Sequence, residues 1–235
     1  MTARDASPAG LVVALLGAES TGKSDLARAL AAHYETRLRC IWIPELLREW
    51  CDAQGRTPRI DEQRAIADGQ RRRIEAAAQT HALVIADTTP LMTAVYSDYV
   101  FGDRSLYADA LAWQRDAVAL TLVSGLDLPW LPDGLQRDGP QAREPVDALL
   151  RGALAAAGIG YGMVYGDGAP RVQAALTAID AMLAKAAPHL LAAALPQHRQ
   201  EDGQPAAGEP GRWQHACALC DDPACEHRSA RRLAR

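Results

Sequence analysis

The chain has no long apolar run. Leu11 to Leu16 is a short, wholly apolar stretch, whereas a membrane-spanning helix needs roughly 20 such residues and a signal peptide a longer apolar region than this one. The preceding segment, Met1 to Pro8, carries the acidic Asp5. The expectation is a soluble, cytoplasmic protein without a membrane partner. A strong charge of one sign is also missing. The 25 basic and 29 acidic residues leave a formal net charge of −4, which argues against a main domain that coats nucleic acid or an anionic surface. Cysteine is scarce: two of five, Cys40 and Cys51, lie in the body of the chain. An odd number without a secretory signal does not make a disulfide framework. Lysine is rarer still. Only Lys23 and Lys185 occur among the 25 basic residues, so a lysine kept at a particular place is informative.

Apolar periodicity supplies most of the organisation. Leu11–Leu16, Cys40–Ile43, Ala82–Ala86, Leu120–Val123 and Gly162–Tyr165 are short apolar runs that read as buried strands. Helical spacing fills the intervals: 23–34, 45–54, 61–80 with Asp61 as N-cap, 88–100, 105–118, 143–157 and 170–187. Strands alternating with helices predict an α/β fold, a doubly wound parallel sheet flanked by helices. Asp127 to Pro140, rich in Gly, Pro and Asp, reads as a loop. The division expected is a P-loop domain over 1–190, a linker over 191–211 and a Cys/His-rich tail over 212–235.

The strongest motif lies between the first strand and the first helix. Gly17-Ala18-Glu19-Ser20-Thr21-Gly22-Lys23-Ser24 matches G-x-x-x-x-G-K-[ST] in full. Glycines let such a loop wrap tightly, and its inward N–H groups with the helix N-terminus favour phosphate oxygens. Gly17, Glu19, Ser20, Thr21, Gly22, Lys23 and Ser24 are therefore the expected ATP-binding residues. Lys23 is expected on the β- and γ-phosphates and Ser24 on Mg²⁺. A sequence that uses arginine nearly everywhere keeps lysine here, where a compact ammonium suits a tight loop better than a planar fork.

Two acids stand at strand ends, the edge where ligands bind in open α/β sheets. Asp87 follows the third strand and Glu45 the second. One is expected to hold the metal, with Asp87 the metal candidate, and either is placed to take a proton from a substrate hydroxyl. Arg137 and Arg143 are the candidate guanidinium groups for the spreading charge of phosphoryl transfer. On the long polar helix, Arg71-Arg72-Arg73 reads as a solvated face, with Asp68 and Gln70 as possible substrate-facing residues.

The P-loop with its Glu19, then Pro44-Glu45-Leu46-Leu47-Arg48-Glu49, Ala86-Asp87-Thr88-Thr89 and Pro129-Trp130-Leu131-Pro132-Asp133-Gly134, taken in this order, resemble the ribosylnicotinamide kinase domain of the bifunctional NadR proteins. The resemblance spans about Leu11 to Ile179. It implies transfer of the ATP γ-phosphoryl group to a nucleoside-like small molecule, with nicotinamide riboside as the implied acceptor. It also implies substrate roles for Glu45, Arg48, Trp130 and Asp133. The family stacks its nicotinamide between aromatic side chains. Pro44 stands where one is expected, and Trp42, Tyr96, Tyr99 and Trp130 are the available substitutes. The second reading is a regulatory P-loop ATPase or nucleotide-dependent binding module.

Cys217, Cys220, Cys225 and His227 form a compact set near the end of the chain. Three thiolates and an imidazole make a tetrahedral zinc site. Redox-sensitive free thiols are the alternative.

Overall fold

The computed structural model of the chain describes residues 10–131 and 139–194. Five parallel strands form one sheet in the order β2-β3-β1-β4-β5. They are β1 (Leu11–Leu16), β2 (Cys40–Ile43), β3 (Leu83–Asp87), β4 (Leu120–Ser124) and β5 (Gly162–Val164). The helices are α1 (Lys23–Glu35), α2 (Leu46–Gln54), α3 (Gln63–Ala78), α4 (Pro90–Phe101), α5 (Tyr107–Ala117), α6 (Arg143–Ala156), α7 (Gly168–Ala186) and α8 (Pro188–Ala194). The central strand β1 pairs with β3 on one side and β4 on the other, with Leu15 opposite both Asp87 and Leu122. The chain order therefore reverses at β1, and loops on either side of it open a crevice at the strand ends.

The two-residue period of β1 divides the core. Val13 and Leu15 face α1 and α7, where Leu26, Leu30, Leu176 and Ile179 bury against them. Ala14 and Leu16 face α4 and α6, meeting Leu91, Val95, Val146 and Leu150. Val12 joins Ile74 of α3 and Trp113 of α5 in a third cluster. A strand buried on both faces needs the near-continuous apolar run that β1 and β3 carry. Cys40 lies within the α1 side of this core. Burial pushes its thiol up to about 12, which leaves it an inert packing residue.

Three boundaries differ from the sequence expectation, each for a local reason. The third helix does not begin on an Asp61 cap. Ile60–Glu62 instead form a single 3₁₀ turn, because the Glu62 carboxylate accepts the Arg59 N–H at 2.8 Å and both guanidinium nitrogens of Arg56 at 2.7 and 2.6 Å. The helix after β3 begins at Pro90 rather than Thr88. Proline drives the residue before it to extended backbone, and Thr89 sits at φ −136°. Residues 191–194, expected as the start of the linker, instead close a helix over Pro188–Ala194. Pro188 breaks it from α7 at Ala187, and Leu190 and Leu191 pack on the α1–α7 side of the core.

Candidate functional site

The P-loop is shaped by backbone that side chains rarely tolerate. Gly17 lies at φ +140° and Gly22 at +68°. A Cβ on Gly17 would stand 3.1 Å from the Ser124 carbonyl oxygen. Ser20 also takes a positive φ, +56°. Gly22 caps α1, so the first-turn N–H groups of that helix face the loop. Thr21 Oγ1 donates to the Ala18 carbonyl at 2.8 Å, and Lys23 Nζ donates to the same carbonyl at 2.6 Å. Glu19 and Thr21 are buried, and Ser24 is half-buried on the first turn of α1.

A residue from the far end of the domain fixes this loop. Arg171 of α7 is buried and donates to the Thr21 carbonyl at 2.6 Å, to Ser124 Oγ at 3.0 Å and to the Gly166 carbonyl at 2.9 Å. One guanidinium thus joins the P-loop, the end of β4 and the turn after β5. Burial lowers its pKa from the ordinary arginine value. Sequence reasoning missed it, because an isolated arginine in an amphipathic helix carries no local signal. Its fork geometry, bridging three oxygens, is one a lysine cannot copy.

The two strand-end acids lie on adjacent strands and have different surroundings. Asp87 is 1% exposed, and its Oδ1 has no hydrogen-bond partner. A buried carboxylate oxygen left without a donor is costly and fits a cation or its bound water. The donor set of Ser24 and Asp87, hard oxygens beside a phosphate loop, suits Mg²⁺. Glu45 is half-buried and accepts Arg48 Nε at 3.2 Å. Burial raises its pKa, with the Asp87 charge acting the same way; Lys23 and Arg48 oppose the rise.

Gln70 ties the two strand ends together. Its Oε1 accepts the Leu46 N–H at 2.8 Å, and its Nε2 donates toward the carbonyls of Pro44, Thr88 and Asp87 at 3.3, 3.4 and 3.5 Å. The side chain expected to face substrate instead holds backbone, while Asp68 is exposed. Thr88 is forced to φ +69°, a conformation that costs a β-branched residue about 1–3 kcal/mol and collects at functional sites.

A cavity of about 400 Å³ opens beside the loop, a size that suits a small organic ligand. Gly17, Glu19, Lys23, Glu45 and Thr88 form its inner end. Leu47, Arg48 and Cys51 of α2 line one wall. Thr57 to Ile60, with Gln63, line another, and Met92, Tyr96, Val100 and Phe101 of α4 complete it. Of the aromatic substitutes named from sequence, Tyr96 alone lines this cavity. Trp42 lies in the α1–α7 cluster beneath the Arg28 guanidinium, 5.5 Å from its ring centroid. Tyr99 packs in the α4–α6 cluster.

Trp130 lies on the P-loop side, its Nε1 donating to Glu19 Oε1 at 3.4 Å. Ser20 Oγ accepts the Leu131 N–H at 2.7 Å, so the segment after β4 rests on the P-loop. Arg143, a candidate for the charge of phosphoryl transfer, is buried at the start of α6 and donates to the Leu126 carbonyl at 3.0 Å. Asp133 and Arg137 lie outside the described residues, as do the linker from residue 195 on and the tail residues Cys217, Cys220, Cys225 and His227. Among the described residues there is no cluster of three potential metal ligands and no helix long and apolar enough to cross a membrane.

The parallel 2-3-1-4-5 sheet with a glycine-shaped phosphate loop after its central strand defines a P-loop NTPase fold. The AAA domain family model matches residues 12–171, and the chain belongs to that family. Solved structures share the fold. A NadR protein in complex with NR superposes with a TM-score of 0.61 at 21% identity, over 74% of this chain and 51% of that one. A NadR protein in complex with NAD and AMP-PNP gives 0.58 at 20%, over 74% and 50%. The chain thus spans about half the length of these proteins. Thymidylate kinase from Ehrlichia chaffeensis gives 0.52 at 14% identity, over 73% of this chain and all of that one. Deoxyadenosine kinase from M. mycoides gives 0.51 at 10%, with the same coverage. No curated protein matches the sequence.

Proposed function

We propose that this protein transfers the γ-phosphoryl group of ATP to a hydroxyl of a small nucleoside-like molecule, with nicotinamide riboside, giving NMN, as the specific acceptor. The observation that carries the reading is a shared cavity. Lys23 of the P-loop and Glu45 line the same pocket as Leu47, Ile60, Met92, Tyr96, Val100 and Phe101. A motor or switch has no need of such a pocket beside the phosphate loop. The fold shared with nucleotide-metabolising kinases and with a NadR protein that holds NR supports the acceptor class.

The roles follow from position. Loop N–H groups and Lys23 hold the phosphates. Ser24 and Asp87 are the residues that would hold Mg²⁺, which would supply charge neutralisation for the transferring phosphoryl group. Glu45 faces the cavity and takes the proton of the accepting hydroxyl. As it does so, that oxygen bonds to the γ-phosphorus and the bond to the β-phosphate oxygen breaks. Its raised pKa suits a base, because a more basic carboxylate accepts a proton more readily. Arg48 holds that carboxylate in place.

A coupled ADP-release assay across nicotinamide riboside and other nucleosides tests the proposal. Acceptor-stimulated release is the expected result. ATP consumption that no small hydroxyl compound stimulates contradicts it and favours a regulatory ATPase.

A further inference from the structure

One residue of the cleft is held in a conformation that its own side chain resists. Thr88 lies at φ +69°, a left-handed backbone that glycine or asparagine adopts more readily than a β-branched residue. Such strain persists only where neighbours fix it, and it gathers at functional sites. Here several neighbours fix it. The Thr88 N–H donates to the Leu15 carbonyl at 3.0 Å. Gln70 holds the carbonyls of Asp87 and Thr88. Thr89 Oγ1 donates to the buried Gln114 at 2.7 Å, and Pro90 opens the next helix.

The Thr88 hydroxyl takes no part in this framework. It makes no hydrogen bond to any described residue, whereas the hydroxyl of Thr89 donates into the core. Nor is it one of the side-chain polar atoms sealed from solvent without a partner. Thr88 is 4% exposed and lines the acceptor cavity, so the surface its hydroxyl keeps opens there.

The sheet order shows what that hydroxyl would meet. β3 lies between β1 and β2. The P-loop follows β1, Glu45 follows β2, and Thr88 follows β3. Gly17, Lys23, Glu45 and Thr88 line one cavity. A phosphoryl group passing from the P-loop to a hydroxyl beside Glu45 therefore crosses the end of β3. Charge spreads over its equatorial oxygens as it moves. A donor fixed along that path binds the group most strongly in transit.

We infer that Thr88 is a catalytic residue whose hydroxyl donates a hydrogen bond to an equatorial oxygen of the transferring phosphoryl group. The hydroxyl keeps its own proton throughout, and the proton of the acceptor still goes to Glu45. The left-handed backbone sets where the side chain leaves the chain, and the stiff χ1 of a β-branched residue narrows where the oxygen can stand. This assignment rests on the kinase reading only in taking the moving group to be the γ-phosphoryl of ATP bound for a small acceptor.

The test compares wild type, Thr88→Val and Thr88→Ser by calorimetry on the full chain. Each is titrated with ADP and Mg²⁺, and again with aluminium fluoride added, a planar anion that stands in for the transferring group. Thr88→Val keeps the shape and the β-branch but removes the donor. It should bind ADP within about twofold of wild type and lose about 10–100-fold in affinity for the fluoride complex, the size of one hydrogen bond to a charged group. Its kcat should fall by a similar factor with KM for ATP unchanged. Thr88→Ser should recover most of both losses. The hydroxyl has no partner in the fold, so Thr88→Val should melt no lower than wild type. No gain from aluminium fluoride in the wild type, a gain that Thr88→Val retains, or an equal loss for ADP alone overturns the inference. A gain lost in Thr88→Val, with no acceptor phosphorylated by the wild type, would leave Thr88 in its role and remove the kinase reading. Acceptor phosphorylation at wild-type kcat by Thr88→Val would do the reverse.

Discussion

The phosphate end and the acceptor end of this cleft are built by different means. The phosphate end is mostly backbone: positive-φ glycines, the first turn of α1, and carbonyls held by Thr21, Lys23 and Arg171. The acceptor end is mostly side chains, contributed by α2, the 59–63 segment and α4. Backbone sites tolerate few sequences, because φ and close approach dictate glycine. Side-chain sites can be rebuilt residue by residue around a new ligand. The difference teaches where this protein's own chemistry is written, and substitutions at five positions put it under strain.

The largest effect is expected at the junction of the two ends. Glu45→Gln should lower kcat by about 10²–10⁴-fold, the usual contribution of a positioned general base. It should also raise thermal stability at neutral pH. The folded-state pKa of Glu45 is raised, so the stability this group contributes is complete below its unfolded pKa and is lost as pH rises through the folded one. Glutamine escapes that loss. In the wild-type protein the acid limb of kcat should lie above the ordinary carboxylate value. Arg48→Ala should move it further up, since Arg48 opposes the rise. A limb unmoved by Arg48→Ala would detach Glu45 from the chemistry.

Next, Lys23→Ala should reduce turnover by about 10²–10³-fold, typical of losing one donor to developing charge, for every acceptor alike. Acceptor-dependent losses in steady-state kinetics would blur the division between the two ends. Arg171→Met should raise KM for ATP about tenfold. It should also cost about 1–3 kcal/mol in denaturant unfolding, because the buried Thr21 carbonyl and Ser124 hydroxyl lose their donor. Arg171→Lys should recover only part of either loss. An unchanged KM for ATP would make Arg171 a folding residue alone. The smallest effect belongs to Arg71→Ala. Its ion pair with Glu75 is exposed on both sides and should be worth under about 0.5 kcal/mol, with no change in kinetics.

The same contrast explains how far the sequence could be read. The five strands and the P-loop were legible because apolar runs and glycine spacing are local signals, and strand bounds agree within about two residues. Glu45 and Asp87 were legible as strand ends, and Tyr96 was among the aromatic candidates. The roles of Gln70 and Arg171 were not, since each depends on partners distant in the chain. Arg143 was legible only as a candidate for the transferring charge; its burial and its bond to the Leu126 carbonyl appear only in the fold. Residues 191–194, assigned to the linker, end a helix instead, one whose Leu190 and Leu191 cover the core.

One measurement bears most directly on the central claim. Purified protein is incubated with ATP, Mg²⁺ and nicotinamide riboside, and ADP, inorganic phosphate and phosphate ester are quantified together by ³¹P NMR. The account predicts one phosphate ester formed per ADP, and both products formed about 10²–10³-fold more slowly with Lys23→Ala. ADP accompanied by inorganic phosphate, with no ester from this or any nucleoside acceptor, would contradict it.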